Sequence, residues 1–265
     1  GEDTLSLHDA LPISTTQTTS AALRMDAQST LTAGGATQLS GNAAMVLGNV
    51  DSTGALSIST TNGSVSQVTG TTVLADSTTS VTVQNADVTL NNTGNNMAGL
   101  ISVNNAANLN LRSTLLKLGS IATSGAQTYN SPVQLMSNPT FDGHTITFAS
   151  TVNGDQSFTV IDSGQTLLAG AVGASAAPTR IDMTAIDGIE ITGGKVRSSG
   201  PQWFKSPVLV SNAGNTIFDS TAVASAGANI TFEQTLNAAG VQTESVGIDA
   251  GTGGIVRWKG VVGGD

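Results

Sequence analysis

The sequence predicts an all-β chain wound as a β-solenoid, with strands paired in parallel from coil to coil. Three observations carry that reading. A short glycine-bounded motif recurs at long spacing. Apolar residues come in brief period-two runs separated by turn formers. Only 10% of the 265 residues are charged and 3% aromatic, against about a quarter charged in an ordinary domain. A sandwich would account for the strands, but gives no reason for the recurrence. A unit with one apolar face buries it only against stacked neighbours.

The motif reads Gly48-Asn49-Val50-Asp51-Ser52-Thr53-Gly54, then Gly119-Ser120-Ile121-Ala122-Thr123-Ser124-Gly125, then Gly194-Lys195-Val196-Arg197-Ser198-Ser199-Gly200. The offsets are 71 and 75 residues. Each unit of that length suits about three coils of roughly 20–25 residues. Val50, Ile121 and Val196 are expected at equivalent inward positions. At offset 75, Gly125 to Val133 matches Gly200 to Val208, setting Gln127 against Gln202, Thr128 against Trp203 and Tyr129 against Phe204. Further matches set Ile146-Thr147-Phe148 against Ile230-Thr231-Phe232 and Asp162-Ser163-Gly164 against Asp249-Ala250-Gly251. The last sets Gly170 to Gly173 against Gly260 to Gly263, at offset 90. Growing offsets with surviving apolar runs are what insertions in surface loops produce.

Taken in order, Gly1 to Ser14 shares no composition with the rest. It resembles translated sequencing-adapter read-through, a non-native segment, and is set aside from fold reasoning. Thr15 to Thr30 is Ser/Thr-rich and reads as an incomplete first coil. From Leu31 the period-two runs begin. They include Ala55 to Ser59, Ser80 to Val83, Asp87 to Leu90, Leu100 to Val103, Asn108 to Leu111, Thr145 to Phe148, Ser157 to Val160 and Asn229 to Phe232. Alternation with β-branched residues bounded by Gly, Asn, Asp and Ser predicts strands of about four to six residues. Ala174 to Ala177 runs into Pro178 and is too short for a helix. Asn62-Gly63 and Asn153-Gly154 mark tight turns. No Pro/Gly linker divides the chain, so residues 15–265 read as a single continuous solenoid of ~71–75-residue units.

The runs Gly54 to Gln67, Asp87 to Asn95 and Gly125 to Tyr129 resemble the repeats of filamentous-haemagglutinin-like bacterial proteins. The likeness extends over nearly all of Leu31 to Asp265 and lies in repeat grammar. It implies a right-handed parallel β-helix inside a very large secreted adhesin, reaching the bacterial surface by two-partner secretion or as an autotransporter. It further implies an outer-membrane-associated setting and a host or environmental surface ligand, glycan or protein, besides the rest of the same large chain.

Composition narrows the partners. There is no Cys, hence no disulfide framework and no thiolate metal site. A net charge of −9 disfavours nucleic acid. No apolar run approaches the ~18 residues of a membrane-spanning helix, so membrane insertion of this segment is not expected.

Parallel β-helices also host polysaccharide lyases and hydrolases, which need converging carboxylates. The best local cluster is Asp182, Asp187 and Glu190, a weak cation or sugar site if the three meet, solvated coil edges if they do not. His144 follows Gly143 with no second His at ligand spacing and reads as a turn residue. Arg257 and Lys259 flank Trp258. The offset of 90 places Trp258 where Leu168 lies, pointing inward, with sugar stacking as the other use of its indole. Gly251-Thr252-Gly253-Gly254 lacks the Lys and helix of a phosphate loop. Thr145-x-Thr147 is too isolated for an ice-binding ladder. No catalytic residue, cofactor or metal is expected. The reading is a structural rod segment of a surface adhesin, with a carbohydrate-active enzyme as the alternative.

Overall fold

The computed structural model describes residues 15–19, 22–212, 214–240 and 244–263; the adapter-like segment 1–14 lies outside them. The chain forms two compact units, residues 1–131 and 132–265. Among the described residues there is no helix, and every strand pairing given below is parallel. The expected fold class, an all-β parallel β-solenoid, is what each unit shows.

In the first unit each coil contributes strands to three lines. One runs Thr37–Gly41, Leu56–Thr60, then the first half of Thr79–Leu90. A second runs Leu23–Arg24, Met45–Leu47 and Val65–Gln67. The third runs Thr30–Ala33, Asn49–Ser52, Val73–Ala75 and Asn96–Met97. Thr15–Thr19 pairs with Thr37–Gly41, so the Ser/Thr-rich start does form part of a coil. Alternate residues face inward because side chains in a strand alternate with period two. Leu31, Val50 and Val73 make one interior ladder and are buried. In-register stacking gives the backbone N–H and C=O groups of the inner strands partners in the coils above and below, without any disulfide.

The runs Ser80 to Val83 and Asp87 to Leu90, expected as separate strands, form one bent strand, Thr79–Leu90. Leu100–Leu111 does the same above it. The register between them shifts at the corner, where Asn85 and Asn105 take φ of 50° and 58°. Asn tolerates the left-handed region better than other residues with a Cβ, so the chain turns there without leaving the sheet.

The second unit also has three lines. The one that matters for the site runs Thr140–Gly143, Ser157–Asp162, Arg180–Ala185, Gln202–Phe204, Ile230–Phe232 and Val256–Trp258. Another runs Ile146–Phe148, Thr166–Leu168, Ile189–Ile191, Val208–Val210 and Leu236–Ala238. Val172, Lys195–Arg197, Asn215–Asp219 and Ser245–Asp249 belong to the third. Two aromatic clusters fill the interior. Phe141, Phe148 and Phe158 meet edge to face at 5.1–5.9 Å; Phe204 and Phe232 stack at 5.0 Å, and Phe218 meets both edge to face at 5.3 and 5.1 Å.

Two of the expected equivalences are corrected first. Ile146-Thr147-Phe148 and Ile230-Thr231-Phe232 both bury Ile and Phe, but they lie on different lines of the coil. Likewise Trp258 is in register with Phe232, whereas Leu168 pairs with Phe148 and Ile191. All three lines share one inward-outward grammar, so local pattern cannot tell them apart. The later coils are also longer, with Gln202 pairing to Ile230 and Asn215 to Ser245, and this carries the fixed offsets out of step.

The glycine motif has a packing cause. Val50, Ile121 and Val196 are all buried, but Ile121–Ala122 does not join the line of strands that carries Val50, so the expected equivalence of those two positions is corrected as well. Val50 stacks between Leu31 and Val73, and Val196 between Val172 and Phe218. At the closing Gly54, a Cβ would stand 2.6 Å from the Ala36 nitrogen of the coil below; at Gly200 it would press on the Thr179 carbonyl oxygen. Only glycine lets the turns nest this closely.

Candidate functional site

The outer surface of the Trp203 line carries a groove of about 350 Å³ in the second unit. Register builds it. Outward positions on successive strands are Asp182, Trp203, Thr231 and Arg257. Strand spacing is about 4.8 Å, so Trp203 and Arg257 stand about 10 Å apart across the small Thr231. Large, small, large makes a trough with Thr231 as floor. Asn229 and Glu233 lie just before and just after the strand that carries Thr231, and Lys259 stands beyond Arg257.

Trp203 is held from both sides while staying 38% exposed. Its Nε1–H donates to Glu233 Oε1 at 2.7 Å. Lys205 Nζ lies 4.5 Å from the ring centroid and the Arg180 guanidinium carbon 5.9 Å. Both cations pair with Asp182, Lys205 at 2.6 Å and Arg180 at 2.7 Å. Asp182 is the register partner of Trp203 on the preceding strand, and Arg180 lines the groove together with Trp203. Thr231 and Arg257 come from the following strands and line the same groove.

Glu233 also pairs with Lys259 at 2.8 Å. The hydrogen bonds from Lys259 and from the Trp203 indole hold its carboxyl below the usual glutamate range. It therefore stays ionised near neutral pH. Arg257 lines the same groove and, among the described residues, has no ion pair.

The three carboxylates singled out by sequence do not meet. Asp182 is engaged with Arg180 and Lys205 on one line of strands. Glu190 lies on another and accepts from Ser211 Oγ at 2.6 Å. Asp187 is exposed at the turn between them. Among the described residues no group of three His, Cys, Asp or Glu is placed to hold a metal ion. His144 is exposed, with Nδ1 3.2 Å from Ser163 Oγ. Trp258 follows the inward line and stacks on Phe232 at 4.7 Å and 11°, yet is 41% exposed on the last described coil. Its flanking Arg257 and Lys259 point outward as expected.

Trp203 is the site residue not expected from the sequence. The signal was present: the offset of 75 sets it against Thr128, an outward slot between buried Gln127 and Tyr129. A large ring in an outward slot is an exposed ring.

Residues 34–104 match a family model described as "Repeats of unknown function (DUF5649)". The matched span lies in the first unit and takes in three successive coil steps on one line, Thr37 to Leu56 to Thr79 to Ile101. The Trp203 groove lies outside it. No curated protein and no solved structure matches the chain.

Proposed function

We propose that this chain is a structural segment of a secreted bacterial surface adhesin, whose stacked coils hold ligand-binding surface out from the cell. The observation that carries the reading is the unbroken interior of each unit. Ladders such as Leu31–Val50–Val73 and Met183–Phe204–Phe232 are sealed from water by neighbouring coils alone. Such a stack is stiff and lengthens by adding coils. The likeness to repeat proteins over residues 34–104 supports it.

A carbohydrate-active enzyme is the second reading, favoured by the Trp203 groove with two carboxylates beside it. A general acid there must hold a proton near neutral pH. Glu233 is held ionised, and Asp182 is committed to two cations. That chemistry suits positioning better than proton transfer.

Beads coated with the purified chain should be retained under flow on surfaces bearing host or environmental glycans and proteins, while bare beads wash off. No retention, together with new reducing ends or unsaturated products in a polysaccharide digest, would overturn the adhesin reading for the enzyme.

A further inference from the structure

We propose that the groove between Trp203 and Arg257 binds an acidic saccharide, its ring against the indole and its carboxylate on the Arg257 guanidinium. This deepens the adhesin reading and rests on it for the biological setting; the groove itself stands on three observations.

The first is shape. The ladder Trp203–Thr231–Arg257 sets two large side chains about 10 Å apart over a small one, a slot that suits one sugar ring edge-on. The second is the state of the indole. Hydrogen bonding to Glu233 and the two cations held by Asp182 fix its orientation before any ligand arrives. The ring stays 38% exposed and lines the groove, an apolar platform that the C–H face of a pyranose covers well. Pre-set orientation spares the ordering cost of binding.

The third is charge. The chain carries −9 overall, yet four of its nine cations, Arg180, Lys205, Arg257 and Lys259, gather here against two carboxylates. The two carboxylates are engaged by three of those cations and the indole. Arg257 is left to form a forked pair with an incoming carboxylate, geometry that a lysine cannot supply. Asn229 adds a donor on the groove wall: its Oδ1 accepts from the Ile255 amide at 3.0 Å, leaving its NH₂ for sugar hydroxyls. The Thr231 hydroxyl serves the same purpose on the floor. A neutral sugar would leave Arg257 unanswered, and an acidic peptide would make little use of the platform.

The test is titration of the full chain with tetragalacturonate, followed by tryptophan fluorescence and calorimetry, beside its fully methyl-esterified form. The acid should bind saturably and the ester about tenfold more weakly or worse, since it loses the Arg257 pair. Trp203→Ala and Arg257→Gln should each weaken the acid about tenfold, and binding should fall as salt rises. Lys195→Ala, on another line of strands, should bind as the parent does. Equal affinity for acid and ester, an unaffected Arg257→Gln variant, or no saturation at millimolar acid overturns the proposal. Circular dichroism checks each variant's fold. Should Trp203→Ala fail to fold, the ester comparison and Arg257→Gln still decide. Bead retention decides the adhesin reading separately, whatever the titration returns.

Discussion

Asp162 is buried, yet its carboxylate has a full set of donors. Oδ1 accepts from the amides of Thr145 and Gly164 at 2.7 and 2.8 Å; Oδ2 accepts from the Ile146 amide and Thr166 Oγ1, both at 2.8 Å. One side chain thereby ties the turn after its own strand to the coil below. Asp162→Asn turns one acceptor into a donor facing N–H or O–H groups. Bonds to a charged acceptor are worth about 1.5–3 kcal/mol each, so a loss of about 2–4 kcal/mol is expected. Urea unfolding should show a lower midpoint with unchanged slope; an unshifted midpoint would contradict this. Asp219 is tuned differently. Burial pushes its carboxyl up, but hydrogen bonds from Thr221 and the pairing with Arg197 at 2.9 Å outweigh that, leaving it below the usual aspartate range. A depressed folded-state pKa adds stability that is present above the unfolded value of about 3.9 and is lost as pH falls through the folded value. Asp219→Asn should therefore unfold at lower temperature than the parent at pH 7, with the gap closing as pH drops toward 2. A gap that stays constant across that range would rule out the linkage.

Strands in this fold are short, and their effect lies in which face they present. Phe148 on Ile146–Phe148 is buried against Phe141 and Phe158, while Thr147 between Ile146 and Phe148 is part-exposed. Phe148→Ala should cost about 3–5 kcal/mol by leaving a cavity, and Thr147→Ala within about 0.5 kcal/mol. Thermal melts of the two variants check it; the reverse order would mean a one-residue register slip, which exchanges the faces. The corner at Asn105 is a different kind of element. Its φ of 58° suits Asn or Gly, so Asn105→Ala should cost about 1 kcal/mol and Asn105→Gly little. Chemical denaturation of both would decide whether backbone conformation or side-chain bonding sets the cost.

At the scale of the whole molecule, stability spreads from coil to coil, and each interior residue relies on the coils directly beside it. Ala75 and Met183 have registered neighbours on both sides. Val256–Trp258 pairs with Ile230–Phe232, and Trp258 is partly open to water. Hydrogen exchange should follow that difference. Peptides over Val73–Ala75 and Arg180–Ala185 should exchange about tenfold or more slowly than peptides over Val256–Trp258. Uniform exchange across the chain would mean that unfolding is global and that coil neighbours do not set local stability.

Much was legible in the residues themselves. Period-two runs such as Leu56-Ser57-Ile58 determine which side chains face inward, because a strand alternates its faces whatever it pairs with. Recurring glycines at Gly48, Gly119 and Gly194 point to stacked coils, and the buried Val50, Ile121 and Val196 beside them follow. Tertiary structure alone decided which of three lines each strand joins. Phe148 and Phe232 look alike in sequence, yet one pairs with Leu168 and the other with Phe204 and Trp258. Loop lengths accumulate over many coils to set that choice, and no short window records the sum. The groove depends on it entirely. Trp203, Thr231 and Arg257 are 28 and 26 residues apart along the chain, and they form a trough because three coils bring them into one outward row.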